Sequence, residues 1–296
     1  MKQVNPQDIS QLDFYRYLIG AVGPRPIAFA STIDREGRVN LSPFSFFNVF
    51  GSNPPTLVFA PNINRHGHKK HTLLNIEDVP EVVINVVNYG MVEQMSLASA
   101  EYERGVNEFR KAGFTELASA KVRAPRVAES PAQFECVVQQ IIDMGSGPGG
   151  GSLVICEVVM AHFHDDIWAD NGLIDPHKID LIGRMGADWY CRANGDALFE
   201  VARPKAGVGF DALPTDVRES AILTGNDLGK LASHDTLPTA GEVLAFRQSG
   251  LMADLFNEAR HGCQYLPDLL HERAQRLLRE GRVHDAWLVL LQSSLA

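Results

Sequence analysis

Along the first two thirds of the chain, apolar and β-branched residues come in short runs bounded by Gly, Pro, Asn and Asp, a pattern that predicts strands joined by turns. Residues 22–32 and 56–60 are the first such runs, and Asp34-Arg35-Glu36-Gly37 supplies a turn after the first. Between them, Ser or Asn recurs at positions 40, 42, 45 and 48 among aromatics, and Pro43 denies a strand one ladder donor. A surface of this kind suits a flat aromatic ring whose polar edge meets hydroxyls and amides. Strand character returns at 82–87, and residues 134–142 and 153–164 predict an antiparallel hairpin around the glycine-rich stretch 145–152. Helical spacing marks residues 8–20, opened by Asp8 or Ser10 and closed by Gly20, and residues 91–113 predict one or two covering helices.

The pattern changes near Pro204. Beyond it, residues 217–223, 227–232, 239–260 and 267–295 carry helix-like spacing with almost no strand signal, so a first domain over 1–204 and a helical region over 205–296 are expected. The last stretch predicts two helices around Gly281, like one tetratricopeptide pair; no second copy exists, which excludes a solenoid. A helical cap or dimer-packing element is the simplest role.

Composition narrows the classes. With 27 basic against 36 acidic side chains the formal charge is −9, the wrong sign for a nucleic-acid binder. No apolar run approaches the roughly 20 residues that span a bilayer, and the amino terminus lacks the apolar core of an export signal. Cys136, Cys156, Cys191 and Cys263 are widely spaced and predict reduced, mostly buried thiols in a cytoplasmic protein.

Several segments share an order that carries a resemblance. PRPIAFAST, then Gly37, NLSPFSFFN, a KHT at 70–72 where Lys-Asp-Thr is usual, ICEVVMAHFH at 155–164 and GRMG…Y from Gly183 to Tyr190 together resemble the flavin reductase-like proteins. The resemblance covers about the first two thirds of the chain. It implies a mainly β fold, an antiparallel split β-barrel of Greek-key type with covering helices, to which the α-helical C-terminal region is appended. It also implies an FMN cofactor, with FAD as the alternative, and NADH or NADPH as a transient co-substrate.

On that resemblance, Ser42, Pro43, Phe44, Ser45, Phe46, Phe47 and Asn48 line the isoalloxazine and ribityl chain, with Ser31 and Thr32 on the adjoining strand. Lys70 and Thr72 match the phosphate-side motif, and a lysine and a hydroxyl at a helix start suit an anion. His71 replaces the usual Asp, which puts any capping by that carboxylate in doubt. The same loop has a second reading as a metal site through His66, His68 and His71, but it offers no acidic or thiol ligand and its lysines repel a cation, so no metal is expected. His162, preferred over His164, aligns with the histidine near flavin and nicotinamide, and Arg184 and Tyr190 match the family's GR…Y segment. The glycine-rich loop at 145–151 reads as a hairpin connector, with a mobile flap as the alternative. No strand-GxGxxG-helix unit is present, so the nicotinamide nucleotide would bind on an open barrel surface.

The function implied is an NAD(P)H:flavin oxidoreductase, a homodimer that hands reduced flavin to a partner monooxygenase or passes electrons to another acceptor. The alternatives are a flavin-binding electron carrier or sensor without reductase turnover, and an oxidase similar to the pyridoxamine-phosphate oxidases.

Overall fold

A computed structural model describes residues 1–64, 66–204, 206–262 and 265–293, except the side chains of Leu251 and His261. The chain divides into two compact units, Met1–Phe199 and Glu200–Ala296.

The first unit is built on eleven strands: β1 (Ala28–Ile33), β2 (Val39–Phe44), β3 (Phe47–Ser52), β4 (Pro55–Phe59), β5 (Glu81–Val86), β6 (Glu116–Leu117), β7 (Arg126–Val127), β8 (Ala132–Asp143), β9 (Ser152–Phe163), β10 (Ile182–Arg184) and β11 (Tyr190–Arg192). Its helices are α1 (Gln11–Ala21), α2 (His71–Asp78), α3 (Val92–Leu97), α4 (Glu108–Ala112) and α5 (Pro176–Ile179). Seven strands form one antiparallel sheet in the order β2-β1-β5-β8-β9-β4-β3. The two edges of that sheet, β2 and β3, are consecutive in the chain and joined only through Ser45 and Phe46. A link that short rolls the sheet on itself and leaves an unsealed seam between β2 and β3, which is a split barrel. Pro43 fits this position, because an edge strand has ladder donors to spare.

Strand β1 is buried on both faces, Ala28 through Thr32 without a break. Ala28 and Ala30 pack with Phe44, Phe59 and Ile84 and with Leu73 and Ile76 of α2, whereas Ile27, Phe29 and Leu41 pack with Met91, Met95 and Phe109 from the covering helices. Ser10 caps α1 by accepting from the Asp13 amide at 3.1 Å. Gly20 does not end that helix: α1 runs on to Ala21 and closes through the Val22 amide on the Leu18 carbonyl. The expected single segment 40–48 is two strands, since its chain turns at 45–46 to cross the seam.

The second unit is all helical: α6 (Thr215–Arg218), α7 (Gly225–Ala232), α8 (Ala240–Arg247), α9 (Gly250–His261), α10 (Leu266–Arg279) and α11 (Val283–Leu290). Its core is leucine-rich and centred on fully buried Trp287, whose Nε1 donates to the Leu231 carbonyl at 3.2 Å. Thr224 with Asp227 and Thr239 with Glu242 form capping boxes that open α7 and α8. The stretch 239–260 breaks into α8 and α9 at Gln248 and Ser249, while α10 and α11 turn about Gly281, at φ 75°. No helix among the described residues is long and apolar enough to cross a membrane.

Candidate functional site

Two cavities lie on either side of edge strand β2, and both reach Ser99. The first, about 240 Å³, takes Asn40 and Ser42 from β2, residues 68–72 ahead of and within α2, and Glu108 of α4. The second, about 170 Å³, takes Pro43 and Ser45 with Ile27, Met95, Arg184 and Tyr190. Alternate positions of β2 and its link to β3 thus face two cavities that share Ser99, one bordered by the basic loop and the other by Arg184 and Tyr190; this pair is termed the groove.

At the basic end, Lys70 is half-buried and makes no ion pair among the described residues, unlike Lys69, which binds Glu77 at 2.5 Å. Lys70 is the N-cap of α2, and among the described residues no side-chain hydrogen bond caps that helix, as its first residue is His71 where Asp is usual. Thr72 is fully buried; its Oγ1 accepts from Asn40 Nδ2 at 2.9 Å and keeps its own proton to donate. Burial, with the Arg104 and Lys70 charges, lowers the His71 pKa and favours the neutral ring. Glu108 is almost wholly buried, and burial pushes its carboxyl up although it accepts from the Leu41 amide of the edge strand at 2.9 Å. Among the described residues no three His, Cys, Asp or Glu side chains converge to hold a metal.

At the other end, the Arg184 guanidinium lies over the Tyr190 ring, 4.5 Å from its centroid. Phe44 turns away into the core against Phe59, and Phe47 packs against the same cluster. Phe46 is exposed and meets Tyr15 edge-on at 6.5 Å, and exposed Asn48 turns its Oδ1 back to the Val49 amide. Of the expected site residues, the two cavities therefore gather Ser42, Pro43, Ser45, Lys70, Thr72, Arg184 and Tyr190.

Ser31 and Thr32 line neither cavity; both are fully buried, with the Ser31 hydroxyl on the Pro125 carbonyl and Thr32 Oγ1 accepting from Asn75. His162 lines neither cavity either. Its Nε2 meets Glu135 Oε1 at 2.6 Å, and the same buried carboxylate accepts the amides of Ala120, Lys121 and Val122. Burial alone would raise the Glu135 pKa, but these amides and His162 outweigh it and hold the carboxyl below its ordinary range. A buried carboxylate needs such partners, and that need accounts for the histidine's position. His164 donates to or accepts from no cavity group: its Nε2 faces the Ala128 carbonyl at 3.1 Å.

The glycine-rich loop is tied down as a connector. Ile63 donates to the Gly150 carbonyl at 2.7 Å, Gly149 to the Ile63 carbonyl at 3.2 Å, and Gln11 to the Pro148 carbonyl at 3.2 Å. Cys136 and Cys156 are fully buried, and burial pushes both thiols up, Cys156 to about 12; Cys191 is half-buried, and Cys263 lies outside the described residues. Sequence reasoning had no means to place Ser99, Met95 and Glu108 in the groove, since only the folded chain brings them to β2.

Known proteins share this architecture. Nitrilotriacetate monooxygenase component B from Bacillus cereus superposes with a TM-score of 0.63 and 27% identity, over 68% of this chain and 98% of that one. The 2-nitrobenzoate 2-nitroreductase of Pseudomonas fluorescens gives 0.60 and 29%, over 70% and 100%. A protein of Shewanella frigidimarina assigned to the flavin reductases with a split barrel domain gives 0.57 and 27%, over 67% and 95%. The family model described as the flavin reductase like domain matches residues 22–175, which leaves the helical unit outside it. With more than half of its length matched and the rolled, seamed sheet in place, the chain belongs to the flavin reductase like family.

Proposed function

We propose that the groove astride β2 binds FMN, phosphate at the Lys70 end and isoalloxazine at the Arg184–Tyr190 end, and that the protein reduces it with NADH or NADPH. What supports this reading is one arrangement: a half-buried lysine without an ion pair among the described residues stands at a helix start in one cavity, and the adjoining cavity offers Ile27, Pro43, Met95 and the Tyr190 ring with Arg184 beside them. Lys70 and the first amides of α2 suit a phosphate monoester. Asn40, Ser42 and Ser99 suit the hydroxyls of a ribityl chain, and Ile27, Met95, Pro43 and the Tyr190 ring suit the faces of a flat heterocycle. The bound flavin would supply two-electron acceptance from the nicotinamide and onward delivery of the electrons. The protein's own part is to orient the ring against Tyr190, to hold the Arg184 charge beside it and to keep water from its buried face.

The reading extends to a cytoplasmic homodimer. β3 exposes Val49 and Phe50 at the sheet edge beside an apolar cavity of about 440 Å³ lined by Phe47, Leu57 and Phe134, a surface suited to a second copy. The similarity to a monooxygenase component B favours handing reduced flavin to a partner oxygenase. The similarity to a nitroreductase favours a second reading, in which electrons pass directly to a nitroaromatic acceptor. NADH oxidation with FMN present tests both. Turnover with excess free FMN and no dependence on a nitroarene supports the flavin reductase; turnover only when a nitroarene is added supports the second reading; no turnover in either case removes both.

A further inference from the structure

Arg25 belongs to neither cavity, yet its guanidinium touches two of the segments that form the ring end of the groove, the β2–β3 link at Ser45 and the β10–β11 hairpin at Met185. It is 8% exposed and has no carboxylate partner among the described residues. Its Nη1 donates to the carbonyls of Ile19 and Val22 at the end of α1, at 2.7 and 2.5 Å. Its Nη2 donates to the Met185 carbonyl at 2.9 Å, and its Nε reaches Ser45 Oγ at 3.5 Å. Its backbone exchanges two hydrogen bonds with Arg184, at 2.9 and 2.8 Å.

A charge this buried is unfavourable unless its donors are matched, and the free carbonyls of a helix end match them. The result is a bracket. On one side it holds α1; on the other it holds the β10–β11 hairpin, whose turn is strained at Ala187, φ 49°, with Arg184 donating to the Ala187 carbonyl at 2.5 Å. Gly186 lets this turn approach α1, for a Cβ there would come within 3.1 Å of Gly20 Cα. Arg184 and Tyr190, the groove's ring-end wall, are carried by that hairpin.

We infer that Arg25 is a positioning residue that sets Arg184, Tyr190 and Ser45 at the flavin ring, so that it governs ring binding and leaves the phosphate end alone. The inference rests on the flavin reading of the groove. Four hydrogen bonds from one planar guanidinium serve three segments at once, a task one ammonium cannot perform, so Arg25→Lys is the informative change.

The test compares FMN with riboflavin, which lacks the phosphate. In Arg25→Lys, affinities for both flavins should fall by the same factor, about tenfold for lost hydrogen bonds to a charged group, and the visible circular dichroism of bound flavin should change. Lys70→Ala should weaken FMN alone and leave that spectrum as it was. Gly186→Ala shifts the hairpin, and with it the Met185 carbonyl that Arg25 holds, while the guanidinium itself is unaltered; it should reproduce the Arg25→Lys pattern more weakly and decides the matter where Arg25→Lys does not fold. Wild-type affinities and spectrum in folded Arg25→Lys, or in Gly186→Ala where only that variant folds, would overturn the inference, as would a loss confined to FMN. Wild-type protein that binds neither flavin sinks the reading beneath it.

Discussion

The barrel unit and the helical unit use buried polarity differently. Among the described residues the barrel unit buries Arg25, Asp34, Glu108 and Glu135 together with Asn40, Thr72, Asn75 and Asn85, whereas the helical unit buries only Asp227, His271 and Gln292. Buried charges and amides are unfavourable unless partnered, and a chain that keeps them gains placement of atoms rather than stability. In the helical unit each has a plain structural duty: Asp227 closes a capping box, His271 meets Ser220 Oγ at 2.9 Å, and Gln292 donates to the Val243 and Leu288 carbonyls. In the barrel several surround the groove. The contrast teaches that the barrel holds buried polar atoms in place around the two cavities, whereas leucine packing about Trp287 holds the helical unit.

The strongest way to break this comparison is Trp287→Ala. A fully buried indole lost from the helical core should lower stability by about 3–5 kcal/mol, read as a shifted urea transition. Flavin affinity of the barrel should persist under native conditions; its loss would refute the division of labour.

Next in size is Glu135→Gln, which leaves the amides of residues 120–122 and His162 without a carboxylate. A loss of about 2–4 kcal/mol is expected in the same urea experiment. The pH dependence has a defined sign. Because the folded pKa of Glu135 lies below its unfolded value, its stabilisation is present above the ordinary carboxylate range and is lost as pH falls through the lowered value. Acid unfolding of Glu135→Gln should therefore be shallower than that of wild type.

Lys70→Ala sharpens the comparison at the site itself. FMN should bind about tenfold more weakly, as removal of a charge-assisted phosphate contact predicts, with the urea transition unmoved. An unchanged dissociation constant would reject the phosphate assignment.

The smallest effect belongs to Glu108→Gln. The Glu108 pKa is raised, so the carboxyl's contribution to stability is present below its unfolded value and disappears as pH rises through the raised one. A carboxylate formed there faces the phosphate end, so wild-type FMN affinity should decline over that rise. Glu108→Gln should flatten the decline and bind FMN roughly twofold to threefold more tightly than wild type at pH values above the raised pKa, as removal of one nearby like charge predicts.

Much of this was legible in the chain. Strands β1, β4, β5, β8 and β9 follow from β-branched runs between turn residues, and the α10–α11 turn follows from Gly281, which adopts the positive φ that glycine permits. The motif at 70–72 led to the cationic end of the groove because its residues are adjacent in sequence and share one helix start. The two strands within 40–48 were not legible, since the break at Ser45 is imposed by closure of a seven-stranded sheet. Nor was the position of His162, whose partner lies on β8 and meets it only through the barrel register. Helix 239–260 looked continuous because spacing alone does not register the break at Gln248 and Ser249.

If the groove astride β2 holds FMN, an absorbance titration of FMN into the wild-type protein should give a saturable perturbation of the flavin bands at one FMN per chain. Spectra that superpose on free FMN at every protein concentration would contradict it.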